Sequence, residues 1–402
     1  MFIKSLRNSS RRTPPVPTAD RSRFSGKLNA SIRTSDLLAL DDGLQDEAMD
    51  SDAMSVDSAS SRDAPSSATS HEDEGDGDAS TRSGSPAPSM YSMTDSIRAS
   101  SYRHEFGRSV NSYSDVYLLP ADEEELQRLD LEHILFQRLM GKYPPPMPTI
   151  LAEDVSAGPK RVLDLGCGSG TWALEVAREF PHCEIVAVDL VPMQNEDMPD
   201  NCRSEVDDIN LGLQHFFNDF DVVHARYISA GIRNYEQLVD HMAEALRPAG
   251  LIEVVEIGLR LYDHNREPII PNLGDDSPHL ARWMALLNMA VRQRGGSPDA
   301  ADMLHEWMSV QPALEDVVYR DYYVPTSPFM SLKDPYHSLS ELFREDLFAF
   351  LKSGRPLLLK SGLSESIVDN LAMNAHQELR DARTPTYIRV QSVYARKVFP
   401  AH

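Results

Sequence analysis

Residues 162–181 read VLDLGCGSGTWALEVAREFP, and the change of texture inside them constrains this chain more than any other segment. Val162, Leu163 and Leu165 form the short apolar run that a buried strand requires. Gly166, Gly168 and Gly170 then break it. Beyond them Trp172, Ala173, Val176 and Ala177 return at the spacing of one helical face. A strand, a glycine turn and a helix bring backbone N–H groups and a helix N-terminus up to a ligand. A second apolar run, IVAVDL, carries Asp189, where an α/β fold sets an acid on a ribose about 20 residues beyond the turn. Together these features imply an adenosine-containing cofactor.

Small differences decide which one. A dinucleotide fingerprint needs glycine or alanine at the sixth position of G-x-G-x-x-G. Here Thr171 stands there, and the third glycine comes one residue early. Asp164, two residues before the turn, adds a charge that attracts an ammonium group and repels a pyrophosphate. The pattern D-x-G-x-G-x-G resembles the first motif of class I S-adenosylmethionine-dependent methyltransferases. The resemblance implies an α/β, Rossmann-like fold with a mostly parallel seven-stranded sheet and helices on both faces. The cofactor would be S-adenosylmethionine, held by Asp164, Gly166, Gly168, Gly170 and Asp189. The competing readings are a dinucleotide enzyme, and glycines that serve only a tight turn.

Composition divides the 402 residues unevenly. Residues 1 to about 100 are dense in Ser, Asp, Pro and Ala and poor in large apolar side chains, so burial there cannot offset ordering entropy. This segment is expected to be a disordered tail, ahead of a methyltransferase domain over 101–402 whose core spans about 155–260. Its charge is polarised, with a basic arm from Lys4 to Arg33 and an acidic tract from Asp36 to Asp78. Such a tail reads either as solubilising or as a regulatory, nuclear-targeting arm with Thr13-Pro14 and Ser85-Pro86 as phosphosites. A net charge of −23 argues against direct nucleic-acid binding through phosphates. Three cysteines, Cys167, Cys183 and Cys202, fit a reducing compartment and lack metal-site spacing, so no metal is expected. Without a signal-peptide core or an 18-residue apolar run, the chain is expected to be soluble and intracellular, in nucleus or cytoplasm, and not membrane-bound.

Along the chain, Asp122 is a plausible N-cap with acids following in the first turn. Leu126, Leu129, Ile134, Leu135 and Leu139 continue that helix until KYPPPMP stops it. Strands are expected at 161–165, 184–189, 203–206, 220–224 and 250–257, with helices at 171–179 and 234–246. The alternation implies a parallel sheet wrapped by helices. Two helices, HLARWMALLNMAVRQRG and ADMLHEWMSV, belong to an insert over about 265–312 expected to cover the substrate. Strands at 315–324 and 386–397 and helices at 338–351 and 364–381 close the domain.

Several acids and one histidine fall at strand ends. Asp189 is placed to accept hydrogen bonds from ribose hydroxyls, which charge strengthens; its other reading is a helix cap. Asp207 and Asp208 end the next strand, and either can point inward to take the adenine amine, Asp208 being favoured. His224 ends the strand in DFDVVHARYI and reads as a general base, a substrate contact, or a histidine bonded to backbone. Glu253 and Glu256 carry the same alternatives. Methyl transfer gains most from in-line alignment, so no dedicated catalytic group is required.

A more specific likeness covers residues 103 to 260, which resemble the fungal LaeA-type methyltransferases. Tyr117, Pro120, Asp122, Glu123, Glu125, Arg128, Leu129, Asp130 and His133 match the family's entry pattern. The G-x-G-x-G-x-W turn, Asp189, Gln194, Asn201-Cys202, Asp207-Asp208 and FDVVHAR also match. Phe106 departs, standing in EFGR where the family has asparagine, as do Ala249 and Asn210. The Phe106 change bears on a lid over the cofactor. The resemblance implies either an enzyme methylating a small molecule of secondary metabolism, or a nuclear regulator working through protein partners, whose methyl acceptor is itself or another protein. A methyltransferase fold kept only as a binding scaffold is the third reading.

Overall fold

The computed structural model describes residues 94–154, 158–194, 197–272, 278–329 and 337–399. Expectations for residues 1–93 lie outside the described residues. In chain order the elements begin with α1 (Asp95–Ser100), β1 (Tyr102–Glu105), β2 (Arg108–Asn111), α2 (Glu123–Met140) and α3 (Met147–Ile150). There follow β3 (Arg161–Leu165), α4 (Thr171–Glu179), β4 (Glu184–Asp189), β5 (Cys202–Val206), β6 (Phe220–Arg226), α5 (Tyr235–Ala245) and β7 (Leu246–Tyr262). The last group is α6 (His279–Gln293), α7 (Ala300–Val310), β8 (Leu314–Pro325), α8 (His337–Ser353), α9 (Arg355–Lys360), α10 (Glu365–Asp381) and β9 (Tyr387–Lys397).

Seven strands form one sheet in the order β5–β4–β3–β6–β7–β9–β8. The first five are parallel, and β9 runs antiparallel between β7 and β8. Strand alternation sends β3 into both layers of core. Val162 packs with Met147, Trp172 and Val176 on the face covered by α3 and α4. Leu163 and Leu165 pack with Leu238, Met242, Leu304 and Met308 on the face covered by α5 and α7. Each such fully buried aliphatic side chain contributes about 1.5–3 kcal/mol, so β3 anchors the fold from both sides. The strand order reverses between β3 and β6, which opens a crevice at the carboxyl ends of those strands.

Three expectations need correcting. The structured region begins before residue 100, because Asp95–Ser100 is helical and leads into the β1–β2 hairpin. The hairpin was hidden because its strands are polar and its turn is Phe106-Gly107. Both turn residues have positive φ, 50° and 79°, as a two-residue primed turn requires. Asparagine there announces such a turn, and phenylalanine conceals it. Phe106 is exposed and does not line the cavity described below, so the departure at EFGR is a strained hairpin tip and not an altered lid. Last, β7 starts four residues earlier than the expected 250, since the strand absorbs Arg247-Pro248-Ala249 with a register shift opposite Phe220–Val222.

Candidate active site

The glycine turn joins β3 to α4 by hydrogen bonds that leave little freedom. The N–H groups of Gly166 and Cys167 both donate to the Val188 carbonyl, at 2.8 and 3.0 Å. Gly166 has φ +71°, and a Cβ on it would lie 2.3 Å from Ile228 Cγ2, so both conformation and contact exclude a side chain. Gly170, at φ +78°, ends the turn as the residue before α4. The N–H of Gly168 donates to Asp189 Oδ2 at 2.8 Å, and the N–H of Val191 donates to Oδ1 at 3.3 Å. Asp189 is thereby fixed beside the turn with its carboxylate lining the cavity. Burial pushes its carboxyl up to about 6, against the pull of those two N–H donors.

Asp207 and Asp208 line the same cavity. Asp208 caps a short 3-10 turn: its Oδ1 accepts from the backbone N–H and side-chain amide of Asn210 at 3.1 and 2.8 Å. Asn210 also donates to the Gly231 carbonyl, so this departure from the family pattern ties the Asp208 loop to the loop after β6. Asp207 Oδ2 lies 3.6 Å from His215 Nε2. Cys167 is in the turn, and burial pushes its thiol well above the usual range, which leaves it inert as a nucleophile.

Asp164 and His224 are register partners on neighbouring strands β3 and β6, so their side chains meet on one face. His224 Nδ1 donates to Asp164 Oδ1 at 2.7 Å, and both residues are buried. The imidazole also stacks on Trp172 at 3.7 Å with an interplanar angle of 8°. Its partner is therefore a carboxylate and an indole, not the backbone carbonyl that one reading expected. Glu256 is fully buried and accepts at Oε1 from the N–H groups of Ile228 and Ser229 and from the Tyr235 hydroxyl, at 3.0, 3.1 and 2.8 Å. It shapes the loop after β6 and does not line the cavity. Glu253, the register partner of His224 on β7, is also buried.

Helix α2 roofs the turn, and most of its entry pattern has a partner. Asp122 caps the helix by accepting from the Glu125 N–H at 3.2 Å and takes a fork from Arg108 at 2.7 Å through each nitrogen. Leu129 packs against Gly168, Asp130 accepts from the Thr171 hydroxyl, and His133 bridges Glu175 and Arg226 at 3.1 Å each. Arg128 binds Glu125, Glu132 and Asp346 at 2.9, 2.8 and 3.0 Å. Sequence reasoning missed Glu132 and Asp346. The first is legible from its i+4 spacing to Arg128; nothing local marks Asp346 on α8.

Beyond the turn the cavity wall is apolar. It includes Met284 and Leu287 of α6 and Phe343, Leu347 and Phe350 of α8. The expected covering insert is thus divided. Among the described residues of that insert, α6 lines the cavity, while Ala300, Leu304 and Met308 of α7 lie in the core beneath the sheet. Further cover comes from α8 and from Leu357 of α9, outside the expected insert.

A methyltransferase-domain profile matches residues 134–310. The protein "Secondary metabolism regulator laeA" of Coprinopsis cinerea is 45% identical over 299 residues, covering 73% of this chain and 74% of that protein. The chain belongs to the LaeA family of methyltransferases. "Protein-methionine methyltransferase laeA" of Emericella nidulans is 30% identical over 214 residues, covering 53% and 54% of the two chains. Among solved structures, a Haemonchus contortus phosphoethanolamine N-methyltransferase 2 with S-adenosylhomocysteine aligns at TM-score 0.38 and 16% identity, over 69% of this chain and 59% of that one. The cofactor of this chain is S-adenosylmethionine. The residues present fit it: a glycine turn too tight for side chains faces an acid at the end of β4, with further carboxylates at two strand ends.

Proposed function

We propose that this chain transfers a methyl group to a nucleophile that needs no deprotonation, a protein thioether or a small molecule of comparable softness, in the control of secondary metabolism. In this reading Asp189 takes the ribose hydroxyls and Asp164 the ammonium group. Asp208 keeps Oδ2 for the adenine amine, with Asp207 beside it. His224 is a positioning residue: it donates to Asp164 and is clamped by Trp172, so it sets the carboxylate that faces the cofactor. When bound, S-adenosylmethionine supplies a methyl group already activated by its sulfonium. The chain's own task is then alignment and exclusion of water.

One observation carries the choice of acceptor. Beyond the turn the wall is apolar, with Met284, Leu287, Phe343, Leu347 and Phe350, and among the described residues there the carboxylates Glu132 and Asp346 are both held by Arg128, which favours a nucleophile that needs no carboxylate base. The regulatory role is supported by the Coprinopsis relative, and the methionine acceptor by the Emericella one. A regulator would work through protein partners in the nucleus, and the basic-then-acidic segment before residue 94 would serve those contacts and not cofactor binding. No helix among the described residues is long and apolar enough to cross a membrane.

The test is to incubate the purified full-length chain with methyl-labelled cofactor, alone and with fungal protein or small-molecule extracts, between pH 7 and 9. Label is expected as a methylsulfonium in protein, or in a cationic small-molecule product, at a rate nearly independent of pH, since no proton leaves the acceptor. A rate rising about tenfold per pH unit would mean that a proton must be removed first, and the proposal would fail.

A further inference from the structure

Tyr227 follows β6 directly and is one of the few non-glycine residues with positive φ, at 60°. Its ring packs on Phe136 at a centroid distance of 5.0 Å, and its N–H donates to the Val255 carbonyl at 3.0 Å. Its hydroxyl is buried and has no hydrogen-bond partner within the protein; among the described residues that line the cavity, no other side-chain polar atom is in that condition. A bulky residue in the left-handed region and an unsatisfied buried hydroxyl are both unfavourable. They coincide at a residue that lines the cavity near Glu132 and Asp346. Burial, followed by the charges of Glu132, Asp346 and Glu256, holds the phenol protonated well above its usual range, so it is a donor and not a base.

The surroundings restrict what it can meet. Two cations line this part of the cavity: Arg128, shared among Glu125, Glu132 and Asp346, and Arg226, which lies over the Phe136 ring and meets His133, so three carboxylates face two cations. Phe343 and Phe350 supply the remaining wall. An anionic acceptor would be repelled there, whereas an uncharged one with an oxygen near its nucleophilic atom would satisfy the hydroxyl.

We propose that this end of the cavity is the acceptor subsite, in which Tyr227 donates a hydrogen bond to an oxygen of an uncharged methyl acceptor. A carbonyl beside a thioether is such an oxygen. The inference rests on the methyl-transfer reading and adds the acceptor's charge class and its polar anchor.

Tyr227→Phe removes one oxygen and tests it. The expected result is a cofactor Kd within twofold of wild type by calorimetry, a Tm unchanged or higher, and label transfer into fungal extract about tenfold slower. A tenfold loss of cofactor affinity would assign the hydroxyl to the cofactor. A lowered Tm would assign it to the fold, and undiminished transfer would give it no role; each overturns the subsite. A wild-type chain that binds the cofactor yet labels nothing would overturn the methyl-transfer reading itself, and that result is seen before any variant is made.

Discussion

His224→Ala separates a positioning histidine from a general base, and the structure sets the size of the effect. The substitution removes the 2.7 Å hydrogen bond to Asp164 and the 3.7 Å stack on Trp172, both at buried positions. A hydrogen bond to a charged group is worth about 1.5–3 kcal/mol and an aromatic pair about 0.5–1.5, so the loss is about 2–4.5 kcal/mol. In a domain of this size that lowers Tm by about 5–10 °C, readable by calorimetry. Asp164 would lose its orientation at the same time, so cofactor affinity falls together with stability. His224→Asn offers a side-chain N–H in place of Nδ1 and should restore part of the Tm, the affinity and the transfer rate. If His224 were instead a general base, both variants would lose about 10²–10⁴ in turnover, with cofactor affinity intact and no rescue by asparagine. That outcome refutes the positioning role.

Two further predictions follow from local geometry and charge. Phe106→Asn places at the hairpin tip a residue that tolerates φ of 50° and should raise Tm by about 2–4 °C; an unchanged or lower Tm would show that the turn is not strained. Burial pushes the Glu256 carboxyl up to about 7 from an ordinary 4.5, so the folded state holds its proton more tightly than the unfolded state. That contribution is fully present below pH 4.5 and is lost as pH rises through 7. Glu256→Gln should therefore flatten the decline in Tm between pH 5 and 7, and an undiminished decline would reject this origin.

The cofactor half of the site was legible because each of its signals is local. The glycines, the helix at 171–179 and the acids at strand ends all lie within a few residues of the element that positions them. The Asp164–His224 bond was nearly legible, since both residues sit at the same level of adjacent strands once β3 and β6 are paired. The acceptor side was not. Asp346 reaches Arg128 across 218 positions, and no periodicity reports that distance. The covering helices were misassigned for a related reason: α6 and α7 have similar apolar stripes, yet α6 lines the cavity and α7 packs on the sheet. Tyr227 lies within the DFDVVHARYI segment, but its left-handed backbone and unpartnered hydroxyl exist only in three dimensions.

The central claim is that the glycine turn and Asp189 hold S-adenosylmethionine, and titration calorimetry on wild type and Asp189→Ala tests it most directly. The substitution should weaken binding by about 1.5–3 kcal/mol, the worth of hydrogen bonds to a charged group. Wild type should also lose affinity as pH falls from 8 through about 6, because the buried carboxyl protonates there and ceases to be a charged acceptor for the ribose. NAD should show no measurable affinity. An Asp189→Ala variant that binds S-adenosylmethionine as wild type does, or a wild type that binds NAD tightly, would contradict the account.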